Sequence, residues 1–397
     1  MALSIAVQDG QMHLSGNPIL VTVSGGVAPA GSSEYRLLCK VKSVYGASLV
    51  GQPFIDAKAP VAGSAVFDVS GYVHQPAPRD FHWPLVGQVT AYIDYTYDVR
   101  YQCGERYIDS NGDLQENWGA ETDTDFILAA GVGYRTLGYW ADNSLNFYDV
   151  YVSKMKFLTH MPTGQVVHPY QPVKVWGIPH ASQQAFLSVK GYYEDNSSYD
   201  RTVEFGMYLD CIFEFSVSPY LADPVNLAPV KAGVKMLYYD VTITTVSDGV
   251  EATMRFYVDH DYHENCNYLF FLNSLGGIDC VWLNGAVEKS YNTKTVQASK
   301  PWSSSSDMKT RTTIISSRSG KRSWKINTGW KSREEIDVIS DAMLSKEAWL
   351  LEDAATFNSG TLTPVNVVNS QTVLYNTMND MYSLEIDLEE AHENNYN

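Results

Sequence analysis

Basic side chains are scarce in this 397-residue chain: lysine and arginine number 28 against 45 aspartates and glutamates, a formal net charge of −17. That balance argues against a general nucleic-acid binder, which needs basic surface to displace counterions. It also argues against adsorption to anionic membranes. Charge of either sign is thin, at 18% of residues. No uninterrupted apolar run approaches the roughly 20 residues that span a bilayer as a helix. The opening residues Met1-Ala-Leu-Ser-Ile-Ala-Val-Gln-Asp9 carry neither a basic leader nor an adequate apolar stretch, so no secretory signal is expected. Cysteine is limited to Cys39, Cys103, Cys211, Cys266 and Cys280, an odd number with no Cys-x-x-Cys spacing. Reduced, mostly buried thiols are expected, with synthesis and assembly in the cytoplasm.

Catalytic signatures are missing as well. There is no Gly-x-Ser-x-Gly elbow, no His-Glu-x-x-His and no phosphate-binding glycine loop. Gly25-Gly26 and Gly276-Gly277 lack the following helix that would make them anion sites. No fixed-period repeat is present.

What the chain does have is tyrosine, 27 of them, and short apolar runs broken by glycine, asparagine and proline. That palette favours β structure. Strands are expected at Ile19–Val23, Tyr35–Val44, Ala65–Ser70 and Val89–Val99, a spacing that suits a sandwich over residues 1–135. Residues 136–170 read as a linker, in which Pro162 and Pro169 forbid a continuous helix. A second sandwich is expected over 171–285, from Ala185–Tyr193, Cys211–Val217, Val234–Thr245 and Glu251–Val258 followed by Tyr268–Leu272 and Cys280–Leu283. The last two runs are continuously apolar, as in strands buried on both faces. Between them Gly276-Gly277 reads as a turn. Residues 286–322 are polar and read as an exposed, flexible excursion. A C-terminal α+β module is expected over 323–397. Its helix is announced by Ser332-Arg-Glu-Glu335, a capping box, and by the stripe Ile336, Ile339, Met343 and Leu344. The polar end, 389–397, reads as frayed. The expected class is therefore mainly β: tandem β-sandwich modules followed by a small α+β C-terminal module.

Several clusters are candidates for chemistry. Asp259, His260, Asp261, His263, Glu264 and Cys266 form the densest group of ligand types, a zinc or calcium site in principle. On a strand, however, His260 and His263 face opposite sides, and a polar loop is the expected state. Asp109, Asn111 and Asp113 have the spacing of calcium-loop ligands, but Leu114 stands where the turn glycine belongs. A loop tip is expected there. The acid pairs Glu194/Asp195 and Glu121/Asp123 read as solvated loop acids. Lys309, Arg311, Arg318, Lys321, Arg322 and Lys325 form a basic patch, read as solvated. Tyr192, Tyr193 and Tyr199, with Trp118 and Trp140, are candidates for stacking on sugars or packing an interface. No catalytic residue, cofactor or resident metal is expected.

Seven phrases, in order, carry a family likeness: Gly16-Asn-Pro-Ile19 with Val66-Phe-Asp-Val-Ser70; Phe157-Leu-Thr-His-Met-Pro162; Arg255-Phe-Tyr-Val-Asp259; Tyr268-Leu-Phe-Phe-Leu-Asn-Ser-Leu-Gly-Gly-Ile-Asp279; and Thr328-Gly-Trp330 with Leu344-Ser-Lys-Glu-Ala-Trp-Leu350, the Ser332 helix between the last two. Scattered over most of the chain, they resemble structural proteins of Bacteroidetes tailed bacteriophages and prophages. The resemblance implies a virion component at the tail tip, baseplate or fibre. Its implied partners are copies of itself and other tail proteins, with no nucleic acid and no membrane insertion. Assembly would take place in the host cytoplasm, with release on lysis. An alternative is recognition of a host-surface glycan through the Tyr-rich loops.

Overall fold

The computed structural model describes residues 3–7, 12–45, 48–49, 51–73, 89–92, 96–122, 125–208, 211–219, 231–247, 249–299, 313–354, 360–369 and 382–396. Within them the chain is mainly β, arranged in five sheets. Pro76, Pro78, Pro84, Asp123, Lys309 and Arg311 lie outside the described residues.

The first unit has two sheets over one core. Ser4–Val7, Leu20–Ser24 and Ser64–Asp68 make a three-stranded antiparallel sheet. Opposite it, Ser33–Tyr45 and Thr96–Ile108 pair over most of their length, flanked by Phe54–Lys58, Leu114–Glu121, Asp125–Leu128, Ser48–Leu49 and Met12–Leu14. Alternation explains the packing. Val21, Val23 and Phe67 point in from one sheet, and Leu37, Cys39, Val41, Val99, Tyr101 and Cys103 from the other. Cys39 and Cys103 stand directly opposite each other on neighbouring strands, and none of the five cysteines forms a disulfide.

The second unit is built likewise. Gln183–Tyr193 is the inner strand of a five-stranded sheet that runs Gln165–Val167, Glu251–Val258, Met236–Thr245, Gln183–Tyr193, Ser198–Met207. Leu187, Val189, Tyr239, Val241, Ile243 and Phe256 form its inward face. They meet Val175, Phe213 and Phe215 of a three-stranded sheet made by Lys174–Gly177, Ile212–Ser216 and Val89–Tyr92. Inside this small sheet lies an ion pair: Lys174 Nζ is 2.8 Å from Glu214 Oε1, with the two side chains 1% and 3% exposed.

The third unit is one eight-stranded sheet. Its path is Ile278–Leu283, Asn267–Leu272, Ala348–Glu352, Thr361–Val367, Glu385–Glu390, Thr313–Asn327 and Val287–Ser299, with Asn394–Tyr396 added beside Thr313–Asn327. The helix Arg333–Ala342 covers one face through Ile336, Val338, Ile339 and Ala342. Ser332 caps it as the sequence indicates: its hydroxyl accepts from the Glu335 amide, and the Glu335 carboxylate accepts from the Ser332 amide.

The structure departs from the expected segments in five places. Val89–Tyr92 lies within 1–135 but hydrogen-bonds to Ile212–Ser216 of the second unit. Asn267–Leu272 and Ile278–Leu283, expected in the second sandwich, open the sheet of the third. Residues 136–170 hold the helix Tyr134–Asp142 over most of its length and a π-helical turn, Tyr148–Val152. The 286–322 region is the largest correction. Val287–Ser299 and Thr313–Asn327 are strands joined by a long antiparallel register. The backbone groups that face each other are paired, so exposure does not prevent order. The polar end is ordered in part too, as Asn394–Tyr396 pairs with Arg318–Gly320.

One further core joins the units. Tyr268 and Phe270 point into it, while the alternate residues Leu269 and Phe271 point to the helix side. It collects Leu14 and Leu128 from the first unit, Trp140 and Leu158 from the connection, and Trp176 and Ile212 from the second.

Candidate functional site

The turn Asn273–Gly277 sits where that shared core reaches its edge. Asn273 organises it. Its Oδ1 accepts from the amides of Leu275 and Gly277, both at 3.0 Å. Its Nδ2 donates to the Leu158 carbonyl at 2.8 Å and to Asp279 Oδ2 at 2.9 Å. Gly276 takes φ +87°, which glycine alone adopts without strain. Gly277 is required by space: a Cβ there would lie 2.4 Å from the Leu158 carbonyl oxygen and 3.2 Å from Trp176 Cβ. The Ser274 carbonyl accepts from Gly131 of the first unit at 2.9 Å. One five-residue turn thus touches all three units.

Titratable groups gather around it. Asp279 is buried, and loss of solvent pushes its carboxyl up to about 7, against the lowering effect of hydrogen bonds from Thr159 and Asn273. His160 Nε2 lies 2.8 Å from Ser274 Oγ. Burial holds the imidazole below its usual pKa, although the Asp341 charge pulls it upward. Asp341 Oδ2 accepts from the Ser274 amide at 2.8 Å. A cleft of about 580 Å³ opens beside these groups, lined in part by Ser15, Gly131, Ser274, Asp341 and Lys346.

Serine, histidine and aspartate side by side invite comparison with a nucleophilic triad. The geometry differs at two points. Asp341 is held by the Ser274 amide, whereas a triad carboxylate orients the imidazole. The amides that would stabilise an oxyanion are already used: Leu275 and Gly277 donate to Asn273 Oδ1, and Gly276 donates to the Asn273 carbonyl. The arrangement fastens the turn to its neighbours. No single phrase of sequence signals it, because Asn273 and Leu158 are 115 residues apart.

The other candidates are dispersed. Asp259, His260 and His263 fall in the loop after Glu251–Val258, not on a strand. His263 Nε2 is 3.1 Å from Asp259 Oδ2, but His260 turns away to the Met236 carbonyl at 2.7 Å. Among the described residues, no group of three or more His, Cys, Asp or Glu side chains converges to hold a metal. Asp109 accepts from the Asn111 and Asp113 amides at 2.9 and 3.0 Å, so its carboxylate closes a hairpin tip. Asp195 is paired with Lys231, which holds its carboxyl down to about 2. Glu194 Oε1 accepts from the Lys235 amide at 3.1 Å, and Glu121 pairs with Lys42.

The three tyrosines part ways. Tyr193 is buried in the second core. Tyr192 points to the opposite, outer face, where it stacks on Tyr238 at 4.4 Å and 19°. The Arg255 guanidinium lies over Tyr238 at 4.6 Å and forks onto Asp240 at 2.7 and 2.8 Å. Tyr199 pairs with Gly191 and so shares the inner side of the sheet, 57% exposed at its edge. The three rings form no common platform, and the contacts of Tyr238 occupy ring faces that a sugar would need.

An open surface is the ribbon made by Val287–Ser299 and Thr313–Asn327. Val287–Ser299 is exposed at every position except Val287 and Thr295, which are half-buried. Tyr291, Val296, Ile314 and Ile315 show 51, 58, 46 and 50% of their surface. At its tip, Thr313–Ser317 with Val296–Ser299, the ribbon has only two strands among the described residues.

No protein-family model matches the chain, and no curated protein matches it significantly.

Proposed function

We propose that this protein is a non-enzymatic structural component of a tailed-phage virion, assembling in the tail tip, baseplate or fibre through contacts with copies of itself and neighbouring tail proteins. In this reading the first two units are tandem β-sandwich modules and the third a small C-terminal α+β module. The observation that carries it is the exposed ribbon. Two strands with no core beneath them are marginally stable in water. This ribbon also displays isoleucine, valine and tyrosine that a partner would cover. The fastening at Asn273 supports the same reading, since a body that transmits load needs its units locked together. The ordered likeness to Bacteroidetes phage structural proteins supplies the biological setting, with the virion as the final location. Quantitative mass spectrometry of gradient-purified particles tests the proposal. A fixed copy number per particle is expected; abundant protein in the lysate that is missing from the particles would overturn it.

A further inference from the structure

The sheet of the third unit has two ends. One, Ile278–Leu283, is buried, with Ile278 and Trp282 in the core shared by the units and Val281 and Leu283 on the helix side. The other, Val287–Ser299, pairs with Thr313–Asn327 on one side, and no other described strand pairs with it. A second row of amides and carbonyls therefore faces outward. Proteins usually blunt such edges with proline, a bulge or a projecting charge. This strand contains no proline, and its one irregularity comes late, between Val296 and Gln297. Its Lys289 is drawn back to Glu352 at 2.7 Å, which leaves Glu288 and Lys294 as the charges that project from the edge.

A row of charges indicates what belongs alongside. Asp387, Lys325 and Glu288 stand directly opposite one another on three successive strands. The row alternates acid, base, acid and stops on Glu288 at the open edge. The next position calls for a cation.

We propose that a second copy of this chain supplies it: the Val287–Ser299 edges of two copies pair antiparallel about a two-fold axis through Tyr291, joining two eight-stranded sheets into one. In that register Glu288 of each copy faces Lys294 of the other, Lys289 faces Thr293, and Ser290 faces Asn292. Opposite charges directly across an antiparallel pair are stabilising and like charges are not. Neighbouring registers lose the match. An axis through Asn292 sets Glu288 against Val296, and one through Ser290 sets it against Asn292. The contact is isologous, so it closes at two copies and uses up the edge. It rests on the assembly role and names the surface that would perform it.

The test uses the full chain. Tyr291 lies on the axis, so a cysteine there meets its own copy, with directly opposite Cβ atoms about 4.5–5.5 Å apart. In the same register two cysteines at position 296 are ten residues apart along the strand, roughly 33 Å. On oxidation Y291C is expected to form a covalent dimer while V296C, equally exposed, does not. Failure of Y291C to cross-link, or equal cross-linking by V296C, overturns the contact. Sedimentation equilibrium gives the second readout. E288K should weaken association about tenfold by turning two attractive pairs repulsive, and E288K/K294E should restore it. A double variant as weak as E288K overturns the register. If the protein is found in particles but Y291C stays uncross-linked, the contact falls and the assembly role stands. If Y291C cross-links but the protein is missing from particles, the assembly role falls and the contact stands.

Discussion

Replacing Gly277 by alanine adds one carbon where the turn meets Leu158. The new Cβ would lie 2.4 Å from the Leu158 carbonyl oxygen, so that oxygen must retreat by about 1 Å to reach ordinary contact. The same oxygen accepts the Asn273 side-chain amide at 2.8 Å. Trp176 Cβ and Cγ, both at 3.2 Å, close the other side. Overpacking a dense site costs about 1–3 kcal/mol, and weakening a buried hydrogen bond adds about 1 kcal/mol. G277A should therefore lose about 2–4 kcal/mol, read as a fall in denaturation midpoint at constant slope. G277V should fail to accumulate in soluble form. G276A is the control. Gly276 holds φ +87°, yet its nearest neighbours are side-chain atoms at 3.2 Å. Its cost should stay at about 1–2 kcal/mol, the usual price of left-handed backbone. The expected order is G277A worse than G276A. The reverse order, or a G277A protein as stable as the parent, would refute the claim that crowding against Leu158 dictates glycine at 277.

Three further outcomes follow from the buried polar groups. Burial pushes the Asp279 carboxyl up to about 7, well above the ordinary aspartate value, so the folded state binds the extra proton. Stability from this group is full below about pH 4 and falls as pH rises to about 7, by up to roughly 1.4 kcal/mol per pH unit. His160, held below its usual value, acts in the opposite sense below about pH 6.5. The difference between parent and D279N isolates the aspartate, and a flat difference from pH 4 to 8 would contradict its buried, proton-binding state. For the Lys174–Glu214 pair, K174M or E214Q alone should cost about 3–5 kcal/mol by leaving a buried charge without its opposite charge. K174M/E214L should recover most of that loss in the same denaturation assay. Finally, a fluorophosphonate probe should leave Ser274 unlabelled at neutral pH. Stoichiometric labelling abolished by H160A would instead indicate a nucleophilic serine.

Local chemistry was legible where one short segment contains its own explanation. The Ser332–Glu335 box announces its helix. The unbroken run Tyr268–Leu272 is apolar because alternate residues enter different cores. Three things were not legible, each for a physical reason. The helix Tyr134–Asp142 has Gly133 at its N-cap with no side-chain bond, and Gly138 inside it, so neither cap nor propensity advertises it. Val287–Ser299 is solvated on both faces, which removes the period-two apolar pattern that identifies strands. The junction depends on partners more than 100 residues apart, and the transfer of Val89–Tyr92 to Ile212–Ser216 is equally non-local. Tyr192 and Tyr193 part because neighbours on a strand point to opposite faces, and Tyr199 lies on the next strand, opposite Gly191.

Cryo-electron microscopy of particles carrying a tagged copy tests the proposed virion role most directly. A virion building block requires the tag at a fixed tail position in a symmetric, repeated arrangement. Intact particles with no tag density, together with free monomer in the lysate, would contradict it.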